Sequence, residues 1–137
     1  MNAGRYVGAA LGTGIVRTLL NFVFYGVLMS AQFEATSAAH PGIFREVIPA
    51  YIVADFVFAF VFVFLFAKVG GAMGGGVKGG IQLGILVAIL APVLCNVYWY
   101  FSVTYMSTEM ALTDSLFQLV SYAVQGAVAG AIYKTSA

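Results

Sequence analysis

Apolar residues dominate four long stretches of the chain, and short polar or glycine-rich segments separate these stretches. A helix that crosses the hydrocarbon core of a bilayer needs about 20 consecutive, mostly apolar residues, and each stretch has that length. The pattern therefore predicts four membrane-spanning helices. Their ranges are about 6–29, 47–69, 81–103 and 110–133.

The connections between these stretches are too short to hold a separate soluble domain. We expect a polar segment at 30–46, a glycine-rich turn at 70–80 and a short link at 104–109. The first stretch carries Arg17 in its middle, which is unlike the apolar core of a signal peptide, so we interpret it as a retained helix. Residues 1–137 are thus expected to form a single transmembrane domain.

The second stretch has Phe at every second position from Phe56 to Phe66, a period that is typical of a β-strand. The intervening residues are Val, Ala and Leu, so no face is polar, and a strand of a membrane barrel is excluded. Because lipid requires every backbone polar group to be satisfied within the segment, we predict a helix with Phe on all sides, in contact with lipid.

Composition agrees with a membrane protein and excludes a soluble one. The chain is 62% hydrophobic and 8% charged, with a mean hydropathy of +0.99, whereas soluble domains are about 25% charged. A net charge of +1 gives no basic surface for nucleic acid. One histidine and one cysteine provide neither a metal site nor a catalytic triad, so we expect no enzyme and no metal. No cofactor can be assigned.

Basic residues near the ends of the stretches indicate the orientation, because Lys and Arg are enriched in cytoplasmic loops. Only Arg45 lies on the opposite side from the others, which are Arg5, Lys68, Lys78 and Lys134. We therefore expect an all-α, membrane-embedded antiparallel four-helix bundle with both termini cytoplasmic, in a bacterial inner membrane.

Glycines recur at intervals of four residues in three of the stretches. Such small-xxx-small spacing allows helix backbones to approach closely. The sequence therefore predicts helix-packing contacts at Gly4, Gly8, Gly12, Gly80, Gly84, Gly126 and Gly130.

Polar side chains also fall at similar depths in the four stretches. Asn21, Asp55, Asn96 and Gln118 each lie seven or eight residues from the outer end of their stretch, about 10–12 Å deep at ~1.5 Å per residue. Arg17 lies one turn deeper than Asn21, and Asp114 one turn shallower than Gln118. We expect these six side chains to form one polar layer.

Charged groups at this depth cost about 2.5–3.5 kcal/mol each and normally pair inside the bundle. Arg17 with Asp55 is the expected pair, and Asp114 is the alternative partner of Arg17. We otherwise expect water to solvate Asp114 near the outer interface, without a partner. The layer has two interpretations, which are interhelical contacts that stabilise the bundle and a polar cavity for a small ligand, a proton or an ion.

Several short segments resemble a group of small bacterial four-span membrane proteins that have no assigned function. The segments are Phe-Tyr-Gly-Val-Leu at 24–28, Phe-Ala-Lys at 66–68, Leu-Thr-Asp at 112–114 and Gly-Ala-Val-Ala-Gly at 126–130. The resemblance implies the same four-span layout and an acidic residue at the position of Asp114. It implies no activity.

Two functions agree with these observations. The first is a non-enzymatic accessory or structural subunit that packs through its glycine and Phe faces against partner membrane proteins, lipid or lipid-soluble cofactors, with further copies of itself as another partner. The second is a small oligomeric transporter or channel with an outward-facing polar cavity built on Arg17 and Asp55.

Overall fold

A computed structural model describes residues 2–45 and 47–135, and within these ranges the chain contains helices and no strand. The expectation of an all-α protein is thereby confirmed. Two short π-helical turns interrupt the α-helices, one at Phe24–Leu28 and one at Ile89–Val93. The α-helices are α1 (Ala3–Val23), α2 (Ser30–Ala39), α3 (Ile48–Val69), α4 (Gly76–Ala88), α5 (Leu94–Ser102) and α6 (Thr108–Tyr133).

Four helical segments are long and apolar enough to cross a bilayer, which makes the chain an integral membrane protein. The third begins at Gly76, five residues before the predicted start at Ile81. Glycine is a poor helix former in isolation, but tertiary packing overrides this weak preference, and Gly79 and Gly80 are buried in the structure. The segments are Ala3–Leu28, Ile48–Val69, Gly76–Ser102 and Thr108–Tyr133.

The first connection differs from the expected polar segment because it contains α2, a helix of 10 residues. Its sequence is rich in Ala, with Gln and Glu, and these residues have high helix propensity. The ring of Phe33 on this helix contacts that of Phe44 at a centroid distance of 5.2 Å, so the helix folds back on its own loop. Glu46, the last residue of the predicted connection, lies outside the described residues.

The third transmembrane segment changes character halfway along. Pro92 lies in its π-helical turn, where the ring removes a backbone donor and disrupts the regular hydrogen-bond ladder. Before this turn α4 has five buried residues, and after it α5 has none. The half of this segment that follows Pro92 therefore packs much less closely than the half that precedes it.

Helices α4 and α6 make the closest contact of the bundle. A Cβ atom at Gly80 would overlap the carbonyl oxygen of Gly126, and one at Gly84 would overlap the carbonyl oxygen of Tyr122. Only glycine permits this approach of two backbones. The interface contains Gly80, Gly84, Gly126 and Gly130, so these predicted packing residues make contacts within the chain rather than with a partner.

The glycines of α1 behave differently. Gly4 and Gly8 are exposed, and the nearest atom to a Cβ at Gly4 belongs to Asn2 of the same chain segment. Gly12 does approach α6, since a Cβ there would lie 2.8 Å from Cδ1 of Ile132. The expectation of a tight contact along all three glycines is thus correct only at Gly12.

The hydrophobic core lies between α1, α3, α4 and α6. Phe62 and Phe66 are 1% and 0% exposed, whereas Phe64 is 43% exposed. The expectation that the Phe residues of α3 all face lipid is therefore wrong. A helix turns by about 100° per residue, so an alternating sequence places Phe on the buried face as well as on the outer face. The core cluster consists of Ala9, Ala10, Phe62, Val63, Phe66, Leu83 and Ala129.

Candidate functional site

An ion pair inside the bundle joins Arg17 on α1 to Asp55 on α3. Arg17 Nε donates to Asp55 Oδ1 at 2.7 Å, and the two side chains are 16% and 9% exposed. Two neighbours on α1 complete the site, since Asn21 Nδ2 donates to Asp55 Oδ1 at 3.0 Å and Thr18 Oγ1 donates to Oδ2 at 3.1 Å. The carboxylate thus has a cation and two further donors.

The guanidinium of Arg17 is held from the other side by α3 and α6. Arg17 Nη1 donates to Gln125 Oε1 at 3.3 Å, and Gln125 Nε2 donates to Ser121 Oγ at 2.9 Å. The Arg17 Cζ atom lies 4.1 Å from the ring centroid of Phe58 and 5.1 Å from that of Tyr122, distances at which a cation is attracted to an aromatic face. Both charges of the pair are therefore compensated.

A second polar cluster surrounds Asp114 near the beginning of α6. Tyr25 Oη donates to Asp114 Oδ1, and Asn96 Nδ2 donates to Asp114 Oδ2 at 2.5 Å. Asn96 Nδ2 also lies 3.2 Å from Ser115 Oγ, and Gln118 Nε2 donates to Tyr25 Oη at 2.6 Å. We call these five residues the Asp114 cluster. It connects the first, third and fourth transmembrane segments.

The six residues of the predicted layer therefore divide between two clusters. Arg17, Asn21 and Asp55 belong to one, and the other three belong to the second. Tyr25, in the π-helical turn after α1, and Asn96, on α5, both contact Asp114 rather than Asp55. The second group is Asn96, Asp114 and Gln118.

Asp114 does not behave as a solvated residue at the interface, and it does not pair with Arg17. It is partly buried, and both of its oxygens accept a hydrogen bond. Among the described residues it has no ion-pair partner. The expectation that water alone solvates Asp114 is wrong, because Tyr25 and Asn96 donate hydrogen bonds to its two oxygens.

Sequence reasoning missed several partners in the two clusters. Tyr25 looks like a membrane-interface aromatic when it is judged by composition alone. Thr18 follows Arg17 directly in the sequence. A hydroxyl beside a charged residue in a membrane helix could have been predicted to hydrogen-bond within the same polar site. Ser121 and Gln125 are different, because the sequence already places them on the polar face of α6 at helical spacing, and only their contact with Arg17 was not predicted. The missed residues are Thr18, Tyr25 and Ser115.

Two surface cavities lie away from the Arg17–Asp55 pair. One, of about 180 Å³, lies between α5 and α6, and the residues with polar side chains that line it are Asn96, Tyr100, Thr108 and Ser115. The other, of about 520 Å³, runs along α3 and is lined by apolar side chains only, from Ile52 to Val61. Neither cavity is lined by Arg17 or Asp55, so neither of the two gives access to the ion pair.

Metal-binding side chains do not converge in the part of the chain that the structure describes. No group of three or more His, Cys, Asp or Glu residues is close enough there to hold a metal ion. The contacts within the two clusters are hydrogen bonds and one ion pair.

Comparison of the chain with protein-family models, with curated proteins and with solved structures finds no match. The functional interpretation therefore depends on the geometry described above.

Proposed function

We propose that the chain is a non-enzymatic accessory subunit of a bacterial cytoplasmic membrane, built as an antiparallel four-helix bundle with both termini cytoplasmic. The observation that carries the proposal is the set of hydrogen bonds within the Arg17–Asp55 site. Asp55 accepts hydrogen bonds from Arg17, Thr18 and Asn21, and the guanidinium also contacts Gln125. Such a site stabilises helix contacts, and both oxygens of Asp55 are already used in it.

The antiparallel arrangement is supported by the order of the contacts along the helices. Close contacts pair Gly76 with Gly130, Gly80 with Gly126 and Gly84 with Tyr122, so residue numbers rise on α4 as they fall on α6. The backbone N–H of Gly76 also donates to the carbonyl oxygen of Thr135 at 3.0 Å, which joins the beginning of α4 to the end of α6.

A partner surface is supported by the exposed face of α1. Gly4 and Gly8 lie on the surface, and Leu11 and Ile15 on the same helix are 44% and 53% exposed. Small residues beside apolar side chains allow another membrane helix to pack closely. The glycines of α4 and α6 are already used within the chain, so α1 offers the glycine-containing face that is available to a partner subunit or to a second copy.

The test compares the apparent size of the protein in mild detergent before and after substitution on this face. Gly4→Leu should reduce the size of the assembly, because the larger side chain blocks close helix approach, while the helical content stays unchanged. Leu112→Ala is the matched control, since Leu112 is 60% exposed on α6 and away from the proposed surface. An assembly of unchanged size in Gly4→Leu would contradict the proposed partner surface.

A small oligomeric transporter or channel is the second candidate. One observation favours it, which is that the Asp114 cluster is polar, partly buried and close to the outer end of α6. Transport through an opening at Arg17 and Asp55 would require the ion pair to separate. Ion or solute flux through vesicles that contain the purified chain would support this candidate over an accessory role.

A further inference from the structure

The space between α3 and α5 is open at the end of the bundle that carries α2. Every residue of α3 from Ile48 to Ala54 is exposed, and so is every residue of α5 except Asn96. Because a helix turns by about 100° per residue, such a run of exposed residues on α3 includes the side that faces the bundle axis. We call this space the α3–α5 gap.

The gap begins one turn beyond the ion pair. Ile52, Asp55 and Ala59 share one face of α3 by their helical spacing, and they are 42%, 7% and 0% exposed. Farther along, α3 reaches α4 in the hydrophobic core, where Phe66 and Leu83 belong to one cluster. Beyond the π-helical turn, α5 continues the same transmembrane segment and packs against α6. The two segments therefore meet at one end and separate toward the other.

Three polar side chains beside the gap have hydrogen-bonding groups that the protein does not use. Arg17 donates through Nε and once through Nη1, and because a guanidinium has five N–H groups, both of those on Nη2 remain. The hydroxyl of Tyr122 and the amide oxygen of Gln118 make no hydrogen bond with the described residues, although these residues are only 4% and 9% exposed. The described polar atoms that are both buried and without a partner lie elsewhere, so these three groups reach open space.

Aromatic rings bring these groups to the closed end of the gap. Phe58 follows Asp55 by one turn on α3, and its ring centroid lies 5.0 Å from that of Tyr122. The Arg17 Cζ atom lies over both rings, and Gln118 precedes Tyr122 by one turn on α6. The unused groups therefore lie between α3 and α6, where the gap ends.

We propose that the α3–α5 gap binds one bilayer-soluble molecule with an uncharged carbonyl head, of the quinone class. A carbonyl oxygen of the head accepts hydrogen bonds from Arg17 Nη2 and from the Tyr122 hydroxyl, and the apolar chain lies along the exposed turns of α3 and α5. Binding involves no covalent or redox step. The site goes beyond the accessory role proposed above and does not depend on it.

Charge and depth both select an uncharged head. The charge of Arg17 is already compensated by Asp55, so an anionic head would add an unpaired charge inside the membrane, which is costly. Arg17 lies about 16 Å from the end of the first segment at Leu28, at ~1.5 Å per residue, near the middle of a hydrocarbon core of about 30 Å. The charged head group of a phospholipid stays at the membrane surface, whereas the ring of a quinone is uncharged.

The unused polar groups match such a head in both of its forms. A quinone has carbonyl oxygens, which accept from the N–H groups of Arg17. A hydroquinone has hydroxyl groups, which donate to the amide oxygen of Gln118, and the Tyr122 hydroxyl either donates or accepts. The site thus offers the head a partner in either form.

Titration of the full chain with decylubiquinone, in nanodiscs of phosphatidylcholine, tests the proposal. Trp99, the single tryptophan of the chain, lies on α5, and its fluorescence should be quenched in a saturable way as the gap fills. Tyr122→Phe should raise the dissociation constant about fivefold, because the head loses one hydrogen bond. Tyr133→Phe is the matched control, since it makes the same change near the other end of α6, and it should bind like the wild type.

Each other outcome contradicts the proposal. Phosphatidylcholine is in excess in every sample, so a gap that takes phospholipid gives quenching that rises without saturation. An unchanged dissociation constant in Tyr122→Phe would show that its hydroxyl does not contact the head. The melting temperature of Tyr122→Phe without quinone should equal that of the wild type, and a lower value would mean that the hydroxyl is used within the protein. The size of the assembly should not change in Tyr122→Phe, so this test is separate from that of the α1 surface.

Discussion

A charged residue inside a membrane needs several hydrogen-bonding partners, and Asp55 is an example. The residue is 7% exposed as a whole, and its carboxylate accepts hydrogen bonds from Arg17, Thr18 and Asn21. Loss of one member of a buried ion pair leaves the other charge uncompensated, while replacement of both by apolar residues is often neutral. The energetic role of this site is therefore visible only when single and double variants are compared.

We predict that Arg17→Met and Asp55→Leu each lower the free energy of unfolding by about 3–5 kcal/mol. The double variant should recover most of this loss. Recovery should be incomplete, because Asn21 and Gln125 lose hydrogen bonds worth about 1 kcal/mol each. Thermal unfolding in detergent, followed by circular dichroism, gives the comparison.

Arg5→Met serves as the control for this series, because Arg5 is exposed in the first turn of α1 and should leave the melting temperature unchanged. If the two single variants melt like the wild type, the ion pair does not stabilise the bundle. If the double variant recovers stability but not its cellular role, Arg17 and Asp55 act on a ligand, and the proposed accessory role is wrong.

At the level of helices, the α4–α6 contact depends on the absence of side chains. Gly80 and Gly126 are in mutual backbone contact, whereas a Cβ at Gly4 on α1 would meet only Asn2 Oδ1, at the ordinary contact distance of 3.6 Å. The same residue type thus has opposite effects in the two places. Within an interface, glycine allows helix packing, and on an exposed helix it weakens the helix by about 0.5–1 kcal/mol relative to alanine.

We predict that Gly80→Ala destabilises the protein by about 1–3 kcal/mol, because the new methyl group forces the two helices apart. Gly4→Ala is the matched control and should be neutral or stabilising by up to about 1 kcal/mol. Melting temperatures of the two variants decide the matter. A Gly80→Ala protein that is as stable as the wild type would show that α4 and α6 do not touch at this point.

For the whole molecule, the distribution of charge supports the proposed orientation. Lys68 at the end of α3, Lys78 at the beginning of α4 and Lys134 after α6 all lie at one end of their helices. The exposed loop helix α2 belongs to the opposite end. The proposed topology places the basic end in the cytoplasm.

We predict that a cysteine at Ser37 reacts with an impermeant thiol reagent added outside intact cells, and that a cysteine at Ala72 does not. Both positions are exposed. Ala72 is preferable to Gly75, which is buried with φ +67° and would be strained by a side chain. The native Cys95, which is also exposed, is first replaced by alanine. Labelling of Ala72→Cys alone from outside would reverse the topology.

The sequence by itself determined the class of the molecule and the four helical segments, and it favoured the pairing of Arg17 with Asp55 over the alternative with Asp114. Hydropathy over about 20 residues and the cost of a buried charge are local properties that every arrangement of the helices must respect. The sequence did not predict that the third segment begins as early as Gly76. The weak helix propensity of glycine is overridden there by tertiary packing, which cannot be read from the sequence.

Only the tertiary structure decided which face of each helix points inward. Rotation and tilt of a membrane helix are set by its neighbours and not by its own hydropathy. For this reason Phe62 enters the core while Phe64 faces outward, and Tyr25 reaches Asp114 instead of the interface. Since lipid and protein interior are equally apolar, the sequence of a membrane helix carries little information that would distinguish its two sides.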